Sequence, residues 1–194
     1  MSRVQTLQTS LAGLALLGFL SCSSGGDNKP DPTPEPRKIA STLAYTDPTG
    51  TGYRFVSAGV SQGKLILELK GPASETGRGV SFGLQADTSK ATFVKVNDSD
   101  VEIAQNGVFD LGNTEPKLFK TVSVGNTLNV SIAQKGQGNA KSLDNVLARV
   151  ALLLQSGVTQ GTTISLAIND AKVLPGSNGN SLPITIAVGG LVAQ

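Results

Sequence analysis

The amino-acid sequence predicts an all-β domain of the sandwich type. Glycine is abundant, with 23 of 194 residues, and tryptophan is absent. Threonine, serine, valine and isoleucine are common, and this mixture favours strands and tight turns over helices. From residue 39 to residue 194, short apolar runs alternate with turn residues at regular intervals. This spacing is typical of a β-sandwich, and the stretch is long enough to bury a core.

Individual strands can be located from the alternation of apolar and polar residues. Leu65, Leu67 and Leu69 share one face of the run 64–70, and glycines bound this run on both sides. Gly125-Asn126 suits a two-residue hairpin turn between two further runs. The predicted strands are residues 53–60, 64–70, 80–86, 92–96, 117–124, 128–133, 163–168 and 184–188.

Residues 142–154 fit two kinds of secondary structure. Helical spacing places six apolar residues on one side: Leu143, Val146, Leu147, Val150, Ala151 and Leu154. Strand spacing places five on one face: Val146, Ala148, Val150, Leu152 and Leu154. Periodicity alone leaves both alternatives open.

The first 21 residues have the pattern of a secretory signal peptide. Residues 1–9 are polar and contain one positive charge, Arg3, and residues 10–20 are apolar. No acidic residue precedes Asp27. A positive start followed by a short apolar run is typical of a signal peptide. The run is too short to cross a bilayer, which takes ~20 residues.

The apolar run ends at Ser21-Cys22, which resembles the lipobox of bacterial lipoproteins, with Phe19 in the place where leucine is usual. Cys22 is the only cysteine of the chain, so lipidation explains its presence in an exported protein. The alternative is an ordinary signal peptide with an incidental cysteine. The resemblance implies anchoring by two or three acyl chains on Cys22, which together bind a membrane durably. Ser23, where aspartate would favour the inner membrane, points to the outer membrane.

Residues 22–38 form a predicted disordered tether after the signal peptide. They contain no large apolar residue that could join a core, and prolines alternate from Pro30 to Pro36. Alternate prolines favour polyproline II, so the segment could reach roughly 50 Å when fully extended. A passive spacer is favoured over a proline-motif ligand. The predicted organisation is therefore a signal peptide (1–21), a lipidated tether (22–38) and a sandwich domain (39–194).

Charge and composition exclude several classes of function. The 16 basic and 14 acidic residues nearly balance, so nothing favours nucleic acid. The absence of histidine removes Ser/His/Asp catalysis and the commonest transition-metal ligand. Ser61 and Lys64 have Ser-x-x-Lys spacing, but Gly63 indicates a turn there. The glycines of residues 136–138 lack the rest of a dinucleotide motif and indicate a loop. We expect neither enzymatic activity nor a cofactor.

Carboxylates suggest the remaining chemistry. Asp98, Asp100 and Glu102 would share one face if the chain were extended there, and could chelate calcium if it formed a loop. The favoured interpretation is a charged edge strand that discourages pairing. A glycosidase would need paired carboxylates. Tryptophan is absent and aromatic residues are few, so sugar binding has weak support; the glutamates of the domain are Glu68, Glu75, Glu102 and Glu115.

Two stretches resemble a cohesin domain. In residues 79–93 a strand ends in an aspartate-containing turn before the chain becomes apolar again, although Ala86 and Thr88 stand where aromatic and proline residues are frequent. Residues 147–152 lead through Gly157 and Gly161 to residues 163–166, in the order of a later cohesin segment. The resemblance implies a jelly-roll sandwich of about nine strands, with a strand at 142–154.

Three hypotheses of function follow. The resemblance implies a non-catalytic module at the cell envelope that binds a protein partner, such as a dockerin-like one. A structural subunit of an envelope or secretion assembly is the second hypothesis. A carbohydrate-binding module is the third, and it requires an exposed row formed by Tyr45, Tyr53, Phe55 or Phe93.

Overall fold

The computed structural model describes residues 36–112, 117–135, 139–176 and 179–194. Within these ranges the chain forms thirteen β-strands and contains no helix, and hence none long and apolar enough to cross a membrane. The predicted signal peptide, Cys22 and all but the end of the tether lie outside the described residues. The strands are β1 (Leu43–Thr46), β2 (Arg54–Ser61), β3 (Lys64–Lys70), β4 (Thr76–Ala86), β5 (Ala91–Val94), β6 (Lys117–Val124), β7 (Thr127–Gln134), β8 (Lys141–Ser142), β9 (Val146–Leu154), β10 (Thr163–Ile164), β11 (Leu166–Pro175), β12 (Leu182–Pro183) and β13 (Gly190–Ala193).

The strands form three sheets, and every strand pair is antiparallel. The six-stranded sheet has the order β12-β11-β4-β7-β6, with β8 paired to the start of β4. The four-stranded sheet has the order β2-β3-β9-β5. A small three-stranded sheet, β1-β13-β10, completes the described fold. The prediction of an all-β sandwich is confirmed.

One core lies between the two larger sheets. Phe55 of β2 and Phe82 of β4 meet edge to face across it, with ring centroids 5.4 Å apart. Leu67 of β3 and Leu84 of β4 are fully buried in the same cluster. Burial of each such side chain stabilises the fold by about 1.5–3 kcal/mol. The alternation predicted for 64–70 is confirmed, because Leu65, Leu67 and Leu69 are at most 1% exposed.

The predicted hairpin turn at Gly125-Asn126 is present, and the turn indicated by Gly63 is also a hairpin turn. Gln62 and Gly63 have φ values of 51° and 75°, as a type I′ turn between β2 and β3 requires. Gly125 has a φ of 59° in the two-residue turn between β6 and β7. The aspartate-containing turn after β4 also forms. The carboxylate of Asp87 accepts hydrogen bonds from the Ser89 backbone (3.1 Å) and pairs with Lys90 (2.8 Å).

The ambiguous stretch is a strand rather than a helix. Within residues 142–154, β9 runs between β3 and β5 in the middle of the four-stranded sheet. Ala148 and Ala151 are both fully buried although they point to opposite faces of the sheet. Burial on both sides explains why this strand is apolar at nearly every position, and therefore why its apolar residues also fit helical spacing.

The strand predicted at residues 184–188 is wrong. This segment crosses from one sheet to another, so its residues bond to different neighbours instead of one ladder. The amide of Ile184 donates to Ala171 (3.0 Å), whereas the amide of Ala187 donates to Tyr53 (2.9 Å). Ile186 between them is buried. The last strand lies further along the chain, at β13.

The strand predicted at residues 163–168 is two strands. Ile164 pairs with Leu191 of β13, whereas Leu166 pairs with Ala86 of β4. The chain therefore changes sheet at Ser165, and the second strand continues to Pro175. Apolar alternation passes through this change without a break, which is why the sequence did not reveal it.

Candidate functional site

The outward surface of the six-stranded sheet is the strongest candidate for a functional surface. Three adjacent strands, β11, β4 and β7, carry most of their large apolar side chains on the inward side, and β6 pairs with β7 at the edge of the sheet. Alternation therefore places the intervening residues on the outward side. We call this surface the outer face; across β4 and β7 it consists of the pairs Gly79–Ala133, Ser81–Ser131, Gly83–Asn129 and Gln85–Thr127.

The outer face is flat around Gly79, because the packing leaves no room for a larger residue there. A Cβ atom added to Gly79 would lie 2.6 Å from the Cβ of Ala133 and 2.6 Å from the carbonyl oxygen of Ile132. The φ of Gly79 is not in the left-handed region, so packing rather than backbone conformation demands glycine here. The two strands thus form a floor without protruding side chains at this point.

A shallow groove of about 280 Å³ runs over this floor. Gly79 and Ala133 form its base, and Leu118 of β6 and Leu174 of β11 stand on either side. The strand pairing aligns these four residues in one row across the sheet. The row is entirely apolar, and we call it the apolar row.

The next row across the sheet is basic. Lys120 of β6 pairs with Ser131, Ser131 pairs with Ser81, and Ser81 pairs with Lys172 of β11. We call it the basic row. With strands ~4.8 Å apart, the two lysine Cα atoms are separated by roughly 14 Å. The outward positions of these four strands contain no acidic residue. Asp170, in the bulge of β11, lies 2.7 Å from the Lys172 ammonium.

The outward surface of the four-stranded sheet differs, because it carries an acidic residue, Glu68, among its basic ones. Arg149 of β9 donates from Nε to Glu68 (3.0 Å) and from Nη1 to Gln105 (2.7 Å). Lys64 binds Asp98 at 2.8 Å, and this hydrogen bond and charge lower the pKa of Asp98. Gln105 and Asp98 belong to the loop between β5 and β6, which therefore covers part of this surface.

The carboxylates of Asp98, Asp100 and Glu102 form neither the favoured charged edge strand nor a calcium-binding cluster. Residues 97–102 form a loop instead of an edge strand, and the amide of Asp100 donates to the carbonyl of Asn97 (3.0 Å). Asp98 pairs with Lys64, the carboxylate of Asp100 accepts the amide of Asn97 (2.8 Å), and Glu102 accepts the hydroxyl of Thr121 (2.6 Å). The part of the chain that the structure describes contains no group of three metal-binding side chains.

The exposed aromatic row that the carbohydrate-binding hypothesis requires does not form. Tyr53, Phe55 and Phe93 are at most 9% exposed, and Tyr45 is half-buried. The chain has no tryptophan, so these rings supply volume to the core. The Tyr53 hydroxyl donates to Glu75 (2.8 Å), and the Tyr45 hydroxyl accepts the amide of Gly189 (2.6 Å). Burial raises the pKa of both tyrosines above the ordinary value. A surface for stacking sugars is therefore not formed by these residues.

The other motifs weighed in the sequence form no reactive group in the described part of the chain. Ser61 and Lys64 pair across the β2–β3 turn, and Lys64 is bound to Asp98. Glu68, Glu75 and Glu102 contact Arg149, Tyr53 and Thr121 respectively. Glu115 and residues 136–138 lie outside the described residues. Sequence reasoning missed the outer face, because its rows come from strands that are far apart in the sequence.

Comparison with known proteins supports the fold. No protein-family model matches the chain, and no curated protein matches it in sequence. Among solved structures, the chain is similar to the sixth cohesin of scaffoldin B from Acetivibrio cellulolyticus, which was solved in complex with a mutant Cel5 dockerin. The TM-score is 0.52 and the identity 12%, over 73% of this chain and 97% of that one.

Two further cohesins match with lower scores. One is a non-cellulosomal cohesin from the archaeon Archaeoglobus fulgidus, with a TM-score of 0.44 and 15% identity over 77% of this chain and 88% of that one. The other is the cohesin module of a family 33 glycoside hydrolase from Clostridium perfringens, with a TM-score of 0.40 and 15% identity over 74% and 89%. The likeness to the Acetivibrio cohesin, together with the packed sheets, shows a cohesin-like fold, as the sequence resemblance implied.

Proposed function

We propose that this protein is a non-catalytic binding module that recognises a folded protein partner through the outer face. The observation that carries the proposal is the adjacency of the apolar row and the basic row. Interface centres combine apolar contact with a few oriented polar groups. The outer face offers both within neighbouring positions of four strands.

The two rows specify the chemistry of the partner. The groove between Leu118 and Leu174 suits one apolar side chain, because its floor of Gly79 and Ala133 leaves room directly above the backbone. Lys120 stands at one end of the neighbouring row, with no acidic residue at the outward positions around it. A partner with an apolar anchor flanked by carboxylates would complement both rows.

A dockerin-type partner is the specific form of this proposal. The cohesin of Acetivibrio cellulolyticus that shares the fold was solved with a dockerin. That likeness concerns the fold, so the kind of partner rests on analogy together with the chemistry of the outer face.

Binding of the partner can be tested with two matched arginine substitutions. Ser81→Arg places a long charged side chain in the middle of the outer face, and we expect it to abolish recovery of the partner from envelope extract. Thr92→Arg is the control, since Thr92 is also half-buried on a strand but belongs to the other sheet. Equal recovery with wild type and Ser81→Arg would refute the outer face as the binding site. A permanent assembly on native sizing would favour the structural-subunit hypothesis instead.

We further propose that Cys22 carries a lipid anchor and that the protein is held at the cell envelope, in the outer membrane. The signal-peptide pattern, the Ser21-Cys22 pair and Ser23 support this location, and the Pro-rich segment would hold the domain away from the bilayer. The test is metabolic labelling with a fatty-acid analogue. We expect label on the wild type only and release of Cys22→Ala in soluble form. Label on both proteins would refute the anchor.

A further inference from the structure

Strand β6 is an open edge of the six-stranded sheet, and it is less protected than the other edges of the two larger sheets. In the described part of the fold, β12 has two residues and ends in Pro183, β5 has four residues, and β2 carries a register shift near Gly59. In contrast, β6 has eight residues, contains no proline, and pairs with β7 without a shift. A long, regular open edge is a template for an additional strand.

The turn geometry shows which backbone groups of β6 point outward. Val124 and Thr127 flank the two-residue turn, so they form the hydrogen-bonded pair that closes the hairpin. Alternation then directs the N–H and C=O groups of Phe119, Thr121 and Ser123 away from β7. Within the described chain, no backbone hydrogen bond from outside the hairpin reaches these groups.

The rows of the outer face end at β6, where large apolar side chains remain exposed. Three of the large exposed apolar side chains in the described residues lie on the outward side of this one strand. Leu118 is 39% exposed, Val122 is 40% exposed and Val124 is 64% exposed. Lys120 stands between them, and Lys117 is exposed at the start of the strand. A strand added beside β6 would continue the apolar row and the basic row by one position.

We propose that β6 accepts an extended acidic peptide of a protein partner as an additional antiparallel strand. Its backbone would exchange hydrogen bonds with Phe119, Thr121 and Ser123. Its carboxylates would lie opposite Lys117 and Lys120, and its apolar side chains would cover the exposed apolar residues of β6. This contact uses the sheet edge and is separate from recognition of a folded partner on the outer face.

Charge favours an acidic peptide over a second copy of this chain. No residue of β6 is acidic, and the nearby Glu102 is occupied by the hydroxyl of Thr121 (2.6 Å). A two-fold pairing of β6 with itself centred on Thr121 would bring the Lys120 side chains of both copies to diagonal positions. Like charges in such positions repel, whereas a carboxylate opposite Lys120 attracts.

The experiment uses the full chain and the capped synthetic peptide Val-Thr-Val-Thr-Glu-Thr-Leu-Glu. In antiparallel register this peptide places its glutamates opposite Lys120 and Lys117. We expect it to protect the amides of Phe119, Thr121 and Ser123 from hydrogen exchange. A peptide with both glutamates replaced by lysines should bind at least about tenfold more weakly at low salt. A peptide N-methylated at its three threonines should not bind, because it lacks the inward-facing donors.

A matched pair of substitutions tests the same edge from the protein side. Ser123→Pro removes an outward N–H, which an edge strand tolerates, whereas Ser123→Ala keeps it. We expect Ser123→Pro to weaken peptide binding about tenfold and Ser123→Ala to bind as the wild type does. Thermal unfolding checks that both variants fold.

Two results would overturn the proposal. One is equal binding of the acidic, basic and N-methylated peptides. The other is protection of the three amides that rises with protein concentration without peptide, since it would identify a second copy as the occupant. Ser81→Arg should leave peptide binding intact, so failure at the edge and failure at the outer face remain distinguishable.

Discussion

Gly79→Ala should destabilise the fold, and the structure gives the size of the effect. The added methyl would lie 2.6 Å from both the Cβ of Ala133 and the carbonyl oxygen of Ile132. Because the second atom belongs to the backbone of β7, the two strands must move apart. Overpacking of this kind costs about 1–3 kcal/mol, against a gain of about 0.4–1 kcal/mol from a stiffer unfolded chain. A net loss of about 1–2 kcal/mol corresponds to a Tm lower by roughly 2–8 °C.

Thermal unfolding followed by circular dichroism measures this effect, with Gly190→Ala as the matched control. Gly190 also lies in a strand and outside the left-handed region, but a Cβ added there meets no atom within 4 Å. We expect Gly190→Ala to unfold at or slightly above the wild-type temperature. If Gly79→Ala unfolds no lower than Gly190→Ala, then close packing of β4 on β7 does not explain the flat floor of the outer face.

Three further predictions concern the remaining contacts. Arg149→Lys should lower the free energy of unfolding, measured by urea denaturation, by about 1–2 kcal/mol, because a lysine cannot contact Glu68 and Gln105 together. An unchanged midpoint would show that the two contacts of the guanidinium group do not stabilise the fold. The two tyrosines should ionise in the folded chain at a higher pH than in the unfolded chain, since burial raises both pKa values above 10. The contribution of the buried, neutral tyrosines to the free energy of unfolding is complete below pH 10 and declines as the pH rises further. Phenolate absorbance at pH 10 equal to that of the unfolded chain would contradict the structure. Gly83→Ala should destabilise the fold less than Gly79→Ala does, since its Cβ would lie 3.1 Å from the flexible Asn129 side chain and 3.3 Å from the carbonyl oxygen of Asn169, and a Tm loss equal to that of Gly79→Ala would contradict this reasoning.

Strands could be predicted from the sequence wherever one face of the strand is buried and the other faces solvent. In β3, Leu65, Leu67 and Leu69 alternate with half-buried polar or aliphatic residues, so the sequence carries the period directly. β9 was ambiguous because burial on both faces removes that period. Residues 184–188 failed for the opposite reason, since their alternating apolar residues anchor a crossing segment and do not form a ladder.

The candidate site could not be predicted because it depends on long-range register. The basic row joins Lys120, Ser131, Ser81 and Lys172, and no local pattern relates these positions. The edge strand predicted from the carboxylates at 98–102 was wrong for a related reason. Their alternation is local, but their partners Lys64 and Thr121 come from distant strands that hold the segment as a loop.

The outer face differs from the outward surface of the four-stranded sheet in what covers it. On the four-stranded sheet, Arg149 binds Gln105 and Lys64 binds Asp98, so the loop between β5 and β6 lies over part of that surface. On the six-stranded sheet, Leu118, Val122 and Val124 of β6 are each at least 39% exposed, and Lys120 between them has no acidic neighbour at the outward positions. An interface with a protein partner needs exposed apolar side chains beside a few polar groups. The proposal therefore assigns recognition to the outer face and not to the opposite sheet.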